Sequence, residues 1–206
     1  MKKLIISIYD ESEIWSGFYK RAGYALICWD KKIEGDILEG FTQLQMLIED
    51  AIEAGYQVYG FIFQPPCTDF AGSGARWWSE KDKMSDHYEP FINTTELSEA
   101  LVLICLHLIE LFKPVFWVLE NPVGRIHKQV PELAPHRKLI YNPCEFGDPY
   151  TKKTVLYGNF NTNLQRTPVE PTLGSLMHKI FPSPERATIR SKTPMGFAQA
   201  FFNANK

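Results

Sequence analysis

Cysteine is scarce: the 206 residues hold four, at Cys28, Cys67, Cys105 and Cys144, with no CxxC pair among them. That argues against a structural zinc site and against a disulfide framework, and it fits a reducing, intracellular setting. The five histidines are scattered, without HxxxH spacing, so no metal is expected. Positive charge is not in excess either, with 22 Lys and Arg against 24 Asp and Glu and a formal net charge of −2. A compact nucleic-acid reader usually carries a basic balance, so any nucleic-acid contact must rest on a local patch. Long hydrophobic runs are also missing. The longest apolar segment, Leu97 to Phe112, contains Glu99, His107 and Glu110 and is too short and too charged to span a bilayer. The opening "MKKLIISIYDESE" has two lysines and an apolar run, but the run ends at Asp10 without a small-residue cleavage site. A cytoplasmic protein with no membrane association is expected.

What remains is ordinary for a globular domain: 45% hydrophobic and 22% charged residues, in a chain long enough to bury a core without staples. Short apolar runs at Leu4–Tyr9, Ala25–Asp30, Gln57–Phe63 and Lys113–Glu120 read as buried strands. Between them lie helical patterns: "SGFYKRAGY", ending at Gly23; "TQLQMLIEDAIEAG", stopping at Gly55; and "TTELSEALVLICLHLIELF", with a capping box at Thr94 or Thr95. "KLIYNPCEFG" and "KKTVLYGNF" are two further strand-like runs suited to an antiparallel hairpin. A polar loop is expected from Thr68 to Asn93, and a Pro-rich irregular stretch after Phe160 leads to a short final helix in "GFAQAFFNAN". Strands alternating with helices imply an α/β Rossmann-like fold, with a mixed, mostly parallel sheet and helices on both faces. The expected organisation is a catalytic domain over residues 1–160 and a short extension, 161–206, packing on it.

In such a sheet, ligands sit at the carboxyl ends of the strands. Asp10 to Trp15, Asp30, Pro65 to Asp69 and Glu120 to Pro122 should therefore converge on one cleft. A thiol at one strand end with a carboxyl group on the next suits covalent catalysis: Cys67 attacks an electron-poor carbon and Glu120 takes up the developing charge. The prolines before Cys67 stiffen its backbone. The alternative is a small buried thiol with no chemistry, which is common for free cysteine. Cys28 and Cys105 lie in apolar elements and read as core.

"PPC" at 65–67 and "ENP" at 120–122, in that order on a βαβ pattern, resemble the cytosine-C5 methyltransferases, and in particular a compact phage-associated group of them. "WSGFYKRAGY", "PPCTDFAGSGARWW", "WVLENPVGRI", "EFGDPYTKKTVLYGNF" and "SPERATIRSKTPMGFAQAFF" carry the resemblance over nearly the whole chain. It implies a Rossmann-like methyltransferase fold, S-adenosylmethionine as cofactor and cytosine in DNA as substrate, in the host cytoplasm if phage-encoded. It implies catalytic roles for Cys67 (attack at carbon 6), for Glu120 (at N3 and the exocyclic amine), and for Lys152 and Lys153 (in place of an Arg-x-Arg element). Asp10, Trp15, Asp30, Asp36 and Pro65 would face the cofactor, and Pro66, Asn121, Pro122 and Arg76 the substrate, with Trp77 and Trp78 able to stack on a flipped base. The segment from Thr68 to Asn93 would close over that base.

Two departures accompany the resemblance. The family's first motif is glycine-rich so that backbone can approach the cofactor, whereas "DESEIWS" has no glycine before Gly17. And the family's large recognition region has no counterpart in residues 161–206, which implies either a recognition partner protein or a different substrate. C5 chemistry on a free pyrimidine nucleotide, and a non-catalytic binding protein on the same fold, therefore stand beside the DNA methyltransferase reading.

Overall fold

The first apolar run forms the centre of the sheet. In the computed structural model, which describes residues 1–32, 34–83, 93–181 and 183–206, β1 (Lys2–Ile8) is flanked in parallel by β2 (Ala25–Trp29) and β3 (Tyr56–Phe63). β4 (Phe116–Pro122) continues the parallel set beside β3. β6 (Thr154–Asn159) then inserts antiparallel to β4, and β5 (Arg137–Tyr141) lies antiparallel to β6 at the edge. The order is β2-β1-β3-β4-β6-β5. The chain runs outward from β1 to β2 and then crosses back to β3, so β1 and β3 flank a topological switch point.

The strands alternate between two apolar layers, with a bulge in β3 between Val58 and Phe61 that resets the pattern. Phe61, Phe63, Trp117, Leu119, Val155 and Tyr157 face one side, under α2 (Ile37–Glu53) and α4 (Thr94–Phe112). Ile5, Ile62, Val118 and Leu156 face the other, under α1 (Ser16–Arg21) and α8 (Met195–Ala204). Coverage on both faces is why Phe61, Ile62 and Phe63 form a continuous apolar run, all fully buried. This is the mixed, mostly parallel Rossmann-like α/β sheet expected from the sequence. The second layer depends on aromatic packing by the last helix. Phe197 stacks on Tyr141 at 4.0 Å between centroids, and Trp15 meets Phe197 and Phe201 edge-on at 5.0 and 4.8 Å.

Local structure departs from the sequence reading in four places. α4 is capped by Asn93, whose side chain accepts the Glu96 N–H, rather than by Thr94 or Thr95; both threonine hydroxyls are drawn into tertiary bonds described below. The expected loop after Thr68 contains a 3₁₀ turn at Gly72–Trp77 and a short α3 (Trp78–Lys81), while its residues 84–92 lie outside the described ones. β4 starts at Phe116 and not at Lys113, because Lys113 takes a left-handed φ of 45° to end α4. It also runs on through Pro122, because β6 pairs with it that far: Glu120 stands opposite Leu156 and Pro122 opposite Thr154. Finally, the tail contains short helices, α6 (Leu176–Lys179) and α7 (Arg186–Ser191), and a fifth helix in chain order, α5 (Ile126–Gln129), follows β4. Among the described residues no helix is long and apolar enough to cross a membrane.

Phe197→Ala should remove the ring that joins Trp15, Tyr141, Phe146 and Phe201. A loss of about 3–5 kcal/mol, the usual cost of deleting a buried aromatic, is expected in urea unfolding with the m-value unchanged.

Candidate functional site

The carboxyl ends of the parallel strands are tied together by backbone bonds, Tyr9 N–H to Trp29 O (2.7 Å) and Gln64 N–H to Ile8 O (3.0 Å). Above them, between the N-terminal ends of α2 and α4, opens a cleft of about 240 Å³ whose walls include Tyr9, Trp29, Asp36, Pro66, Ser98 and Leu101. Trp29 fits because position 40 is glycine: a Cβ on Gly40 would lie 2.2 Å from its ring. The indole N–H donates to Gly35 O at 3.2 Å, and the Tyr9 hydroxyl donates to Leu101 O on α4, also at 3.2 Å. Asp36 caps α2 by accepting the Leu38 N–H, and it pairs with Lys31 at 2.9 Å. Burial works against its ionisation, but these two donors outweigh that and hold the carboxyl below its ordinary range. Asp30 lies at the end of β2 and accepts the Lys32 N–H in a local turn. A second cavity of about 260 Å³ lies by Tyr59, Phe116 and Asn161, at the opposite end of the parallel strands.

Cys67 follows the buried Pro65 and the exposed Pro66. Burial raises its thiol above the ordinary value, Lys152 and Arg190 pull it down, and Glu120 pushes it up. The thiol thus sits within electrostatic reach of the carboxyl group on the neighbouring strand and of two cations. Glu120 is itself buried, and its charge also reaches two tyrosines. Tyr150 is pushed up to about 12, first by burial, then by Asp148 and Glu120, and Tyr141 is raised, again by burial first, with Glu120 next. Cys105 is a core residue raised by burial, and Cys28, half-buried on the edge strand, is pushed up to about 12, first by burial, with Glu13 and Asp10 adding to it and Lys20 and a Ser16 hydrogen bond opposing.

Arg125, which the sequence reading passed over, holds the Cys67 loop against the Glu120 strand. Its Nε donates to Asp69 O at 2.8 Å, and its two terminal nitrogens fork onto Asp82, each at 2.7 Å. The guanidinium also lies 4.8 Å from the Trp78 ring centre. Thr95 donates to Asp82 and Ser98 to Asp69, both at 2.7 Å, and Lys81 pairs with Asp69 at 2.9 Å. Backbone bonds complete the join, from Gly72 N–H to Val123 O (3.0 Å) and from Arg125 N–H to Phe70 O (2.8 Å). Only glycine fits between them, since a Cβ on Gly124 would fall 1.8 Å from Phe70 O. The only local signal for Arg125 was its place five residues after a buried acid.

The tail arches over this end of the sheet. Lys152 donates to Arg190 O on α7 at 3.0 Å, and Thr193 donates to Gln64 Oε1 at 2.8 Å, just before Pro65. Thr188 and Lys32 meet at 2.7 Å, and both hydrogen-bond Glu11.

The sequence-named residues therefore separate into groups. Glu120 and Lys152 both lie within electrostatic reach of Cys67, whereas the Lys153 side chain is exposed and its backbone O accepts the Val123 N–H. Pro66 and Asp36 line the cleft. Pro65 is instead a buried wall whose carbonyl accepts Asn121 Nδ2 at 3.3 Å. Asn121 is fully buried, with its Oδ1 unpartnered, and Pro122 is a strand residue. Arg76 and Trp77 lie outside on the 3₁₀ turn, with the guanidinium 5.1 Å from the ring centre, while Trp78 is turned in under Arg125. Trp15 is wholly buried beneath α8 and presents no surface to the cleft. Asp10 is buried and self-contained: the hydroxyls of Ser7, Ser12 and Ser16 donate to its carboxylate at 3.0, 3.2 and 2.8 Å. Glu11 and Glu13 are paired with Lys32 and Lys20. Among the described residues no cluster of His, Cys, Asp or Glu could hold a metal ion.

No family model matches the chain, and a search of curated proteins finds no match. Among solved structures it resembles a candidate DNA modification methyltransferase encoded within a prophage (E. coli), with a TM-score of 0.49 and 13% identity over 89% of this chain. The chain spans 50% of that neighbour's length. A likeness of this size carries no weight for the chemistry, which rests on the residues themselves.

Two outcomes test the site. Arg125→Met should lower stability by about 1.5–3 kcal/mol, the usual worth of hydrogen bonds to charged groups, and should speed limited proteolysis between residues 68 and 83. Arg125→Lys should recover only part, because an ammonium cannot fork. In peptide-resolved alkylation across pH, Lys152→Met should raise the Cys67 thiol and slow its reaction with iodoacetamide, and Glu120→Gln should lower it and speed the reaction.

Proposed function

We propose that the protein is a cytosine-C5 methyltransferase-type enzyme acting on DNA, with Cys67 as nucleophile and S-adenosylmethionine as methyl donor. The observation that supports this reading is that Cys67, at the end of β3, lies within electrostatic reach of both Glu120 and Lys152, near a cleft at the sheet's switch point. The cleft's lining fits the adenosine part of the cofactor. Trp29 and Tyr9 offer aromatic walls, and Asp36 offers carboxylate oxygens at the rim, each able to accept a further donor. S-adenosylmethionine supplies an electrophilic methyl group when bound there.

The chain's own residues do the rest. The cytosine leaves its stack to reach Cys67, and the exposed Trp77 and Arg76 offer a stacking surface for it or its neighbours. Lys152 and Arg190 favour the thiolate, which adds to carbon 6. Glu120 meets N3 and the exocyclic amine, and it relieves the charge that addition places on the ring. Loss of the carbon-5 proton and departure of the thiolate restore the aromatic base. With a formal net charge of −2, sequence-specific duplex recognition would fall to a partner protein.

One observation favours a second reading. The Asp10 carboxylate is turned to three serine hydroxyls of its own loop, and that loop brings no glycine backbone to the cleft. That favours a non-catalytic binding protein on the same fold. A 5-fluorocytosine oligonucleotide with S-adenosylmethionine separates the two. A denaturant-stable adduct at Cys67, absent in Cys67→Ser, is expected. An adduct with 5-fluoro-dCMP but not with the oligonucleotide moves the substrate to free nucleotides. No adduct, and no calorimetric heat with S-adenosylmethionine, leaves only the binding protein.

A further inference from the structure

The last helical turn before α8 presents two cations that no carboxylate among the described residues pairs with. Arg186 and Arg190 are one turn apart on α7 and so share a face. Both are half-buried, and among the described residues neither guanidinium has a carboxylate partner. The Arg186 Nε is buried with no hydrogen-bond partner at all. Leaving guanidinium groups partly desolvated and unpaired is costly; of the acids nearby, Glu11 is taken by Lys32 and Thr188, and among the described residues neither Glu120 nor Glu185 forms an ion pair with either arginine. The segment is also pinned where a ligand would need it. Lys152 donates to the Arg190 carbonyl, and Thr193 is tied to Gln64, three residues before Cys67. Lys152 spends one of its three donors on that carbonyl.

We propose that Arg186 and Arg190 of α7, together with Lys152, form the binding site for a substrate phosphate beside Cys67. The inference rests on Cys67 marking the reaction site, and it adds the element that grips the substrate there. Guanidinium forks match phosphate oxygens in pairs, and the three cations compensate for an overall charge that otherwise repels nucleic acid. The phosphate is either the monoester of a free nucleotide or a diester of a single strand, and the chemistry of recognition is shared.

The test measures binding of the full chain to a fluorescein-labelled, cytosine-containing single-stranded oligonucleotide by anisotropy across a salt series, with dCMP and deoxycytidine as competitors. Arg186→Gln/Arg190→Gln should weaken binding about 10- to 100-fold, as expected for lost charged hydrogen bonds. It should also flatten the salt dependence by about 1 to 1.5 in log–log slope, near 0.7 per phosphate contact on single strands. Arg190→Lys should keep only part of the affinity, because an ammonium keeps the charge but cannot fork, and Lys138→Gln, an exposed lysine on β5, should change nothing beyond the loss of one charge. Competition by dCMP but not by deoxycytidine identifies the monoester, and binding of the oligonucleotide without dCMP competition identifies the diester. Arg190→Gln alone, with its melting curve beside wild type, serves if the double variant fails to fold. The proposal falls if the arginine variants bind like Lys138→Gln, if deoxycytidine competes as well as dCMP, or if wild type binds no phosphate-bearing ligand. Phosphate binding without a Cys67 adduct removes the methyltransferase reading alone. An adduct indifferent to both arginines removes this one alone.

Discussion

The candidate site depends on Arg125 more than on any residue that touches the cleft. Two loops, one after β3 and one after β4, would otherwise be free to part, and Cys67 is on one while Glu120 precedes the other. Arg125 closes the gap with a fork onto Asp82, a bond to the Asp69 carbonyl and a face on Trp78. The fork is directional and the loop is short, so it fixes orientation as well as distance. Gly124 makes it possible by letting the two backbones touch. The position proposed for the nucleophile thus has its geometry set by side chains other than Cys67 and Glu120.

The strands and their ends were legible because apolar runs between helical patterns admit few arrangements, and strand ends in such sheets converge. That was enough to bring Cys67 and Glu120 together on paper. Other features are set by distant parts of the chain and leave little local trace. Thr94 and Thr95 read as caps, yet their hydroxyls go to Asp69 and Asp82, and Asn93 takes the cap. Trp15 read as a cleft residue, but the helix that buries it begins at residue 195. Lys152 and Lys153 read as a pair, but in the irregular approach to β6 they diverge: Lys152 bonds the Arg190 carbonyl within electrostatic reach of Cys67, and Lys153 is exposed. α7 is too short to show a period between Pro184 and Pro194, and so its arginines went unread.

The loop after β1 shows a different balance. Tyr9 and Glu13 adopt left-handed φ of 65° and 48° without being glycine, conformations that carry a local cost. Asp10 offsets it. Its carboxylate collects three serine hydroxyls and lies 3.5 Å from the N–H of Ser16, the first residue of α1. The loop is thereby ordered by its own side chains.

The aromatic layer under α8 has a bearing on how the molecule is made. Trp15 and Phe201 are in contact, and so are Tyr19 and Phe202, although nearly the whole chain separates them. Contacts of such long sequence separation form late. As synthesis proceeds, α1 and one face of β1, β3 and β4 stay uncovered until the segment through Phe202 has emerged, even though α2 and α4 can already close the opposite face. During that interval the nascent chain carries a wide aromatic surface of the kind chaperones bind.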